Sequence, residues 1–396
     1  MSEIKRRHRE PSYSEGRIRH TLIFILNHTG VIPYQYLELL PYNKQSIQKK
    51  IGEMKKSKEI EEYTNKKNGA WYRAFYIVNY KDTIKPYIPY IPTGYPEYYR
   101  DNIAILTSEF KRRNRNDCER IYCNAGIIMM MDGLQVIYGR GYKPRLESKA
   151  DIPQDTTIYY TDSEIKKYTH YRATYSTNTL NKQRELTYSR VNGLLFSKDD
   201  DYAVYNIGKL VGRWNKRGEK KIKVKLNQIV TRKRYGRDEV AAAILFSNSI
   251  KLLQNEYAPL NDRNSFEAIT QNYSRVLFFP MTLVGQKNLK IVLAENHWQV
   301  ICDMIYGYTP ERDSRQTWYD FYTDGTYDLL FCVPDIRKLS LFVNKADDIG
   351  DRSKLRIICF DYQKEFLKIV SQGLCRISVC SIDEAYEEFL NLYISK

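Results

Sequence analysis

The sequence predicts a multidomain chain of α+β and α/β character, with an N-terminal winged helix-turn-helix followed by a mixed α/β domain. Three observations carry that expectation. Short apolar-striped helical segments precede a turn-rich strand pair within residues 18–78. A Pro- and Tyr-rich stretch holding Pro86, Pro89, Pro92, Gly94 and Pro96 then interrupts the pattern. The last third alternates continuous apolar strands with helices, the pattern of a parallel or mixed sheet. At ~150 residues per domain, 396 residues make two to three domains. The expected division is a basic flexible arm over 1–15, the winged helix over 16–82 and a linker over 83–99. A helical and β-hairpin region with a basic block fills 100–240, and an α/β domain fills 241–396.

In chain order, Ile18 to Asn27 reads as a short buried helix stopped by Gly30. Tyr34 to Leu40 reads as a second short helix, ended before Pro41. Asn43 is a favourable N-cap for a third, Lys44 to about Lys56, where Ile47, Ile51 and Met54 fall at i, i+4 and i+7. Ile60–Thr64 and Trp71–Val78 read as strands joined by the basic turn Asn65-Lys-Lys-Asn-Gly69. A helix over about 101–116 and a more apolar one from Cys118 to Met131 follow, the latter's methionines reading as core filler. Ile158–Tyr160 reads as a strand running into a helix capped by Asp162 or Ser163. Ser189–Phe196 and Tyr202–Gly208 read as strands around the acidic turn 198–201. Beyond 240, strands are expected at Arg275–Phe279, Leu289–Leu293, Asp328–Val333, Leu355–Phe360 and Cys375–Cys380. Helices are expected near 298–305, 335–344, 365–372 and 383–390.

The chain carries 63 Lys+Arg against 47 Asp+Glu, a net charge of +16 that points to a polyanionic partner. Residues 209–237 hold twelve Lys and Arg against a single acid, Glu219. The interleaved Ile222, Val224, Leu226, Ile229 and Val230 make this block folded structure with one basic side. Residues 321–396 hold ten basic and twelve acidic groups, so the surplus sits in the first 240 residues. No apolar window reaches the ~18 residues of a membrane span, and the polar, basic N-terminal segment is unlike a signal peptide. The seven cysteines, odd in number and without CxxC spacing, read as free thiols in a reducing cytosol. Nucleic acid therefore outranks a membrane surface as the polyanion.

Catalytic, metal and cofactor signals are sparse. None of the five histidines forms a His-hydrophobic-His pair, no Cys/His group has zinc spacing, and neither GxxxxGK[ST] nor GxSxG occurs. No catalytic residue, metal ligand or cofactor is assigned. A Mg²⁺-dependent nuclease would need a carboxylate on one strand and a Glu-x-Lys on the next. Two formal matches exist: Asp201 with Glu219-Lys220-Lys221, and Asp155 with Glu164-Ile-Lys166. Asp324 and Asp328 make a weaker acid pair.

Several stretches together resemble the replication-relaxation family, proteins of plasmids and integrative conjugative elements in Gram-positive bacteria. They are the N-terminal winged helix, Arg120 to Met130, Tyr159 to Lys166, Ser189-Arg190 with Gly193-Leu-Leu-Phe196, and Tyr202 to Gly208. The likeness covers residues 15–240, and the rest of the chain only in outline. It implies DNA binding at an origin of replication or transfer, as an accessory to a relaxase or replication initiator, and it supplies no catalytic residues.

The expectation is thus a cytoplasmic, sequence-specific double-stranded DNA-binding protein. Lys44, Gln45, Gln48 and Lys49 would read the major groove, where Gln pairs with adenine edges and Lys with guanine or phosphate. Lys66, Lys67 and Arg73 would hold the hairpin to the backbone. Arg213, Lys216, Arg217, Lys220, Lys221, Arg232, Lys233 and Arg234 would grip further phosphates. The α/β third would form a homodimer or dock a relaxase or replication protein. The alternatives are the Mg²⁺-dependent nuclease and a winged-helix adaptor that binds protein.

Overall fold

A computed structural model describes residues 18–77, 115–134, 144–168, 191–208, 216–251, 267–311 and 317–394, apart from isolated positions within those ranges. Among the described residues helices combine with three β-sheets, and the chain divides into two units, Met1–Gly133 and Leu134–Lys396. The expected arm, the 83–99 linker and residues 101–114 of the helix expected over about 101–116 lie outside the described residues, and 115–116 belong to the helix Arg115–Gly133.

In the first unit, helical residues between 18 and 29 end at Gly30, whose φ of +76° suits glycine. Strand β1 (Val31–Pro33) follows, then a 3₁₀ helix over Tyr34–Leu39 where a second helix was expected. The Asn43 side chain accepts a hydrogen bond from the Gln45 amide at 2.8 Å and starts α1 (Lys44–Lys56). Ile47, Ile51 and Met54 face inward, as their spacing requires. Strands β2 (Ile60–Lys67) and β3 (Ala70–Ile77) form an antiparallel hairpin, and β1 pairs antiparallel with β3, giving the order β1-β3-β2.

Helix α2 (Arg115–Gly133) packs against β1 and the 3₁₀ helix, with the Tyr36 and Tyr122 rings 5.7 Å apart. A Cβ at Gly126 would strike the Tyr36 ring. Met129, Met130 and Met131 are fully buried. The division expected at residue 100 therefore separates α2 from the unit whose core it completes.

The second unit holds two mixed sheets. Strands β4 (Ile158–Thr161), β5 (Val191–Phe196) and β6 (Asp201–Gly208) form an antiparallel meander. Helix α3 (Lys216–Lys233) then crosses over to β7 (Ala242–Ser247), parallel to β6. The short α4 (Glu267–Thr270) precedes β8 (Arg275–Pro280), parallel to β7. The strand order is β4-β5-β6-β7-β8. The division expected between 240 and 241 is corrected by this sheet, because β7 continues the ladder that β6 begins. Gly193 is needed at the β5 bulge: a Cβ there would collide with the Tyr160 carbonyl and the Tyr159 ring.

After β8 come α5 (Leu283–Val292) and α6 (His297–Tyr306). The strand expected at Leu289–Leu293 is instead the end of α5. Its Thr282 cap and its buried Gly285, Asn288, Leu289 and Val292 follow helical spacing. Strands β9 (Phe321–Thr323), β10 (Thr326–Leu330), β11 (Leu355–Phe360) and β12 (Arg376–Cys380) form the order β12-β11-β10-β9. β9 pairs antiparallel and the others parallel. Helices α7 (Ile336–Ile349), α8 (Lys364–Ser371) and α9 (Ile382–Ile394) complete the expected alternation.

One apolar core spans both sheets, including Tyr205, Phe278, Phe331 and Phe366. The buried Asp335 carboxylate ties β8 to the start of α7. It accepts from the Val276 amide of β8 and caps α7 through the Arg337 and Lys338 amides.

Candidate nucleic-acid interface

Two surfaces concentrate the predicted contacts, one in each unit. On α1 the inner stripe fixes the helix rotation, so Lys44, Gln45, Gln48 and Lys49 are all exposed. Gln48 donates to the Tyr34 hydroxyl at 3.3 Å, so the amide is held above the 3₁₀ helix. No local signal in the sequence links Tyr34 to this face. Lys55 pairs with Glu62 at 2.8 Å and Lys50 with Glu53 at 2.6 Å, so these lysines serve the unit's own surface. Lys66 and Lys67 end β2, opposite Trp71 and Ala70, and Arg73 lies on β3 opposite Thr64. Their side chains, and the hairpin tip at 68–69, lie outside the described residues.

In the second unit, α3 turns Ile222, Leu226, Ile229 and Val230 into the core and leaves Lys216, Arg217, Lys220, Lys221 and Arg232 exposed. A helix of this length runs ~27 Å, so the exposed cations form an extended basic face. Lys223 is partly turned away, paired with Glu239 at 3.0 Å and lying over the Tyr273 ring. Arg213 lies outside the described residues.

Lys233 and Arg234 correct the expectation. Both are buried, at 3% and 1% exposure, and cannot reach a phosphate. Lys233 Nζ donates to the carbonyl oxygens of Ser148, at 2.5 Å, and Ala150, at 3.0 Å. Arg234 donates to the carbonyls of Gln154, Thr156 and Ser197 at 2.8–3.1 Å, and its guanidinium lies over the Phe196 ring. The sequence holds the signal that finds them. Lys233 falls at i+11 from Ile222 and i+7 from Leu226, and Arg234 at i+4 from Val230, on or beside the inner stripe.

Beneath Arg234 lies Asp201, fully buried, 3.9 Å from the Arg234 Nε and without a hydrogen-bond partner on either carboxylate oxygen. Burial pushes the Asp201 carboxyl up to about 6, against the pull of Arg234 and Arg237. Burial likewise draws Arg234 below its ordinary value.

Glu219, Glu164 and Asp328, carboxylates that a nuclease would use, are each engaged within the fold. Glu219 is buried on the inner face of α3, where it meets Tyr205, whose hydroxyl is 2.9 Å from that of Tyr273. Asp201 and Tyr205 stand four residues apart on β6, ~13 Å along a strand. Glu164 closes a capping box: its carboxylate accepts from the Thr161 amide at 2.8 Å and its own amide donates to the Thr161 hydroxyl at 3.3 Å. The cap of that helix is therefore Thr161, not Asp162 or Ser163. Asp328 is buried under Arg356, which holds it through two bonds at 2.5 and 2.7 Å, with Tyr306 and Thr323 donating as well. Asp324 lies in the β9–β10 turn. Among the described residues no three His, Cys, Asp or Glu side chains gather as metal ligands would. No helix among them is long and apolar enough to cross a membrane.

No family model, curated protein or solved structure matches the chain.

Proposed function

We propose that this chain is a sequence-specific double-stranded DNA-binding protein. It acts as an accessory in plasmid or mobile-element replication or transfer, and assists a relaxase or replication initiator in the cytoplasm. In this reading the first unit is a winged helix-turn-helix: α1 is the recognition helix, β2–β3 the wing, and β1 the strand that pins the wing to the helices. One observation carries it: α1 starts at a satisfied Asn43 cap and presents Lys44, Gln45, Gln48 and Lys49 together on its exposed side, next to a basic hairpin. Gln at two of these positions supports base reading, because a carboxamide can donate to and accept from an adenine edge at once, which a lysine ammonium cannot. The basic face of α3 adds phosphate contacts and salt dependence. The resemblance to the replication-relaxation family fits this role and supplies its setting.

Footprinting on DNA from the chain's native genetic neighbourhood tests the reading. A protected site that survives competition by random duplex is expected, and Lys44→Ala, Gln48→Ala and Lys49→Ala together should erase it. An unchanged footprint would remove α1 from the groove. Binding that is absent or insensitive to salt would favour the protein-binding adaptor.

A further inference from the structure

We propose that Tyr235, at the carboxyl end of α3, is a stacking platform for an unpaired nucleobase, so that this end of the helix prefers opened DNA to intact duplex. The inference rests on the reading of α3 as a phosphate-binding face. Tyr235 is 93% exposed, the most exposed large side chain of its kind among the described residues.

Its backbone, by contrast, is fastened on both sides. The two preceding residues are the buried Lys233 and Arg234, tied to carbonyls of 148–156 and to Ser197. The Tyr235 carbonyl itself accepts from the Gln154 amide at 2.7 Å. Gly236 then turns the chain through a φ of +74°, and Arg237 donates to the Lys198 and Asp199 carbonyls at 2.6 Å each. A ring on such a mount has little backbone freedom left to lose when something stacks on it.

The surroundings suit a nucleotide. Arg232 is exposed three residues before Tyr235, and Arg237 is partly exposed two residues after it. The nearby acidic turn directs two of its three carboxylates away: Asp200 pairs with Arg275 at 2.5 Å, and Asp201 is buried against Arg234. Arginines before and after an open aromatic ring in the chain are components of single-strand recognition, since every base offers a π-face to stack. In intact duplex those faces are already stacked on each other, so the platform gains only where pairing is broken.

The test uses the full chain and two duplexes of one sequence, one fully paired and one with a short mismatch bubble carrying 2-aminopurine. The bubble should bind roughly 5- to 150-fold tighter than the paired duplex, with 2-aminopurine emission quenched. Tyr235→Ala should abolish the preference and the quenching while leaving paired-duplex affinity and thermal stability unchanged. Tyr235→Phe should retain both. Equal affinity for the two duplexes in the unsubstituted chain, or a preference and quenching that survive Tyr235→Ala, would overturn the proposal while leaving duplex binding intact. Failure to bind either duplex would overturn the DNA-binding reading and this inference with it.

Discussion

Helices α1 and α3 are both rich in lysine, yet they display their charge differently. On α1 the apolar stripe is narrow, and polar amides share the exposed side with the lysines. On α3 the exposed face is almost purely cationic in its first half, and its end sends Lys233, with Arg234 just beyond it, inward to hold carbonyl oxygens. Charge content and charge display are therefore separate quantities. A run of basic residues states how much charge a helix carries, and only its rotation against the core states where that charge goes.

The largest expected effect breaks the comparison at Arg234. Arg234→Ala removes a buried cation and strands three carbonyls and the Asp201 carboxyl, a loss on the order of 3–5 kcal/mol. Arg232→Ala, two residues earlier and exposed, should stay within about 0.5 kcal/mol. Chemical denaturation of both variants decides it. Equal stabilities would mean that Arg234 is not the internal tie described here.

Next is pH. A carboxyl that titrates at about 6 in the fold binds its proton more tightly than in the unfolded chain. Its contribution is favourable below the unfolded value near 4 and is lost as pH rises through about 6. Asp201→Asn stays neutral throughout. Relative to that variant, the natural chain should lose up to about 3 kcal/mol between those limits and nothing further above them. Parallel denaturant midpoints for the two chains that show no divergence across the window would contradict this.

Smaller effects separate reading from gripping. Gln48→Ala on α1 should cost about 1–3 kcal/mol of discrimination between the native site and its variants, with little change in salt dependence. Replacing Lys216, Arg217, Lys220 and Lys221 by Ala should weaken all duplexes alike and flatten the salt slope by about 3 to 4. Binding isotherms across a salt series check both. The smallest effect is Asn43→Ala, which removes one cap bond and should cost about 1 kcal/mol, read as a lowered melting temperature.

Much of the fold was legible because periodicity and caps agree locally. Asn43 with Ile47, Ile51 and Met54 named α1 to the residue, and Asp335 and the run from Leu355 to Phe360 marked the second sheet. What escaped has physical reasons. Leu289 to Leu293 is a short apolar run, which a buried strand and a buried helix share, and the deciding Thr282 cap lies seven residues upstream. β9 is only three residues long, although Asp324-Gly325, both at positive φ, is a strong hairpin signal. The boundary at 240 followed a change in charge, but sheet pairing ignores surface charge and continues from β6 to β7. Of the candidate site, the α1 face was readable from one stripe. The charge of Arg234 groups it with the basic block, while its place four residues after Val230 turns it inward, and the exposure of Tyr235 depends on the buried ties around it.

The most direct measurement is a salt titration of the full chain on duplex DNA from its native neighbourhood against random duplex, with and without the triple substitution at Lys44, Gln48 and Lys49. The account predicts tight binding to the native DNA with a steep salt slope, and a triple variant that binds both DNAs equally while keeping most of that slope. A site preference that survives the triple substitution, or weak binding indifferent to salt, would contradict it.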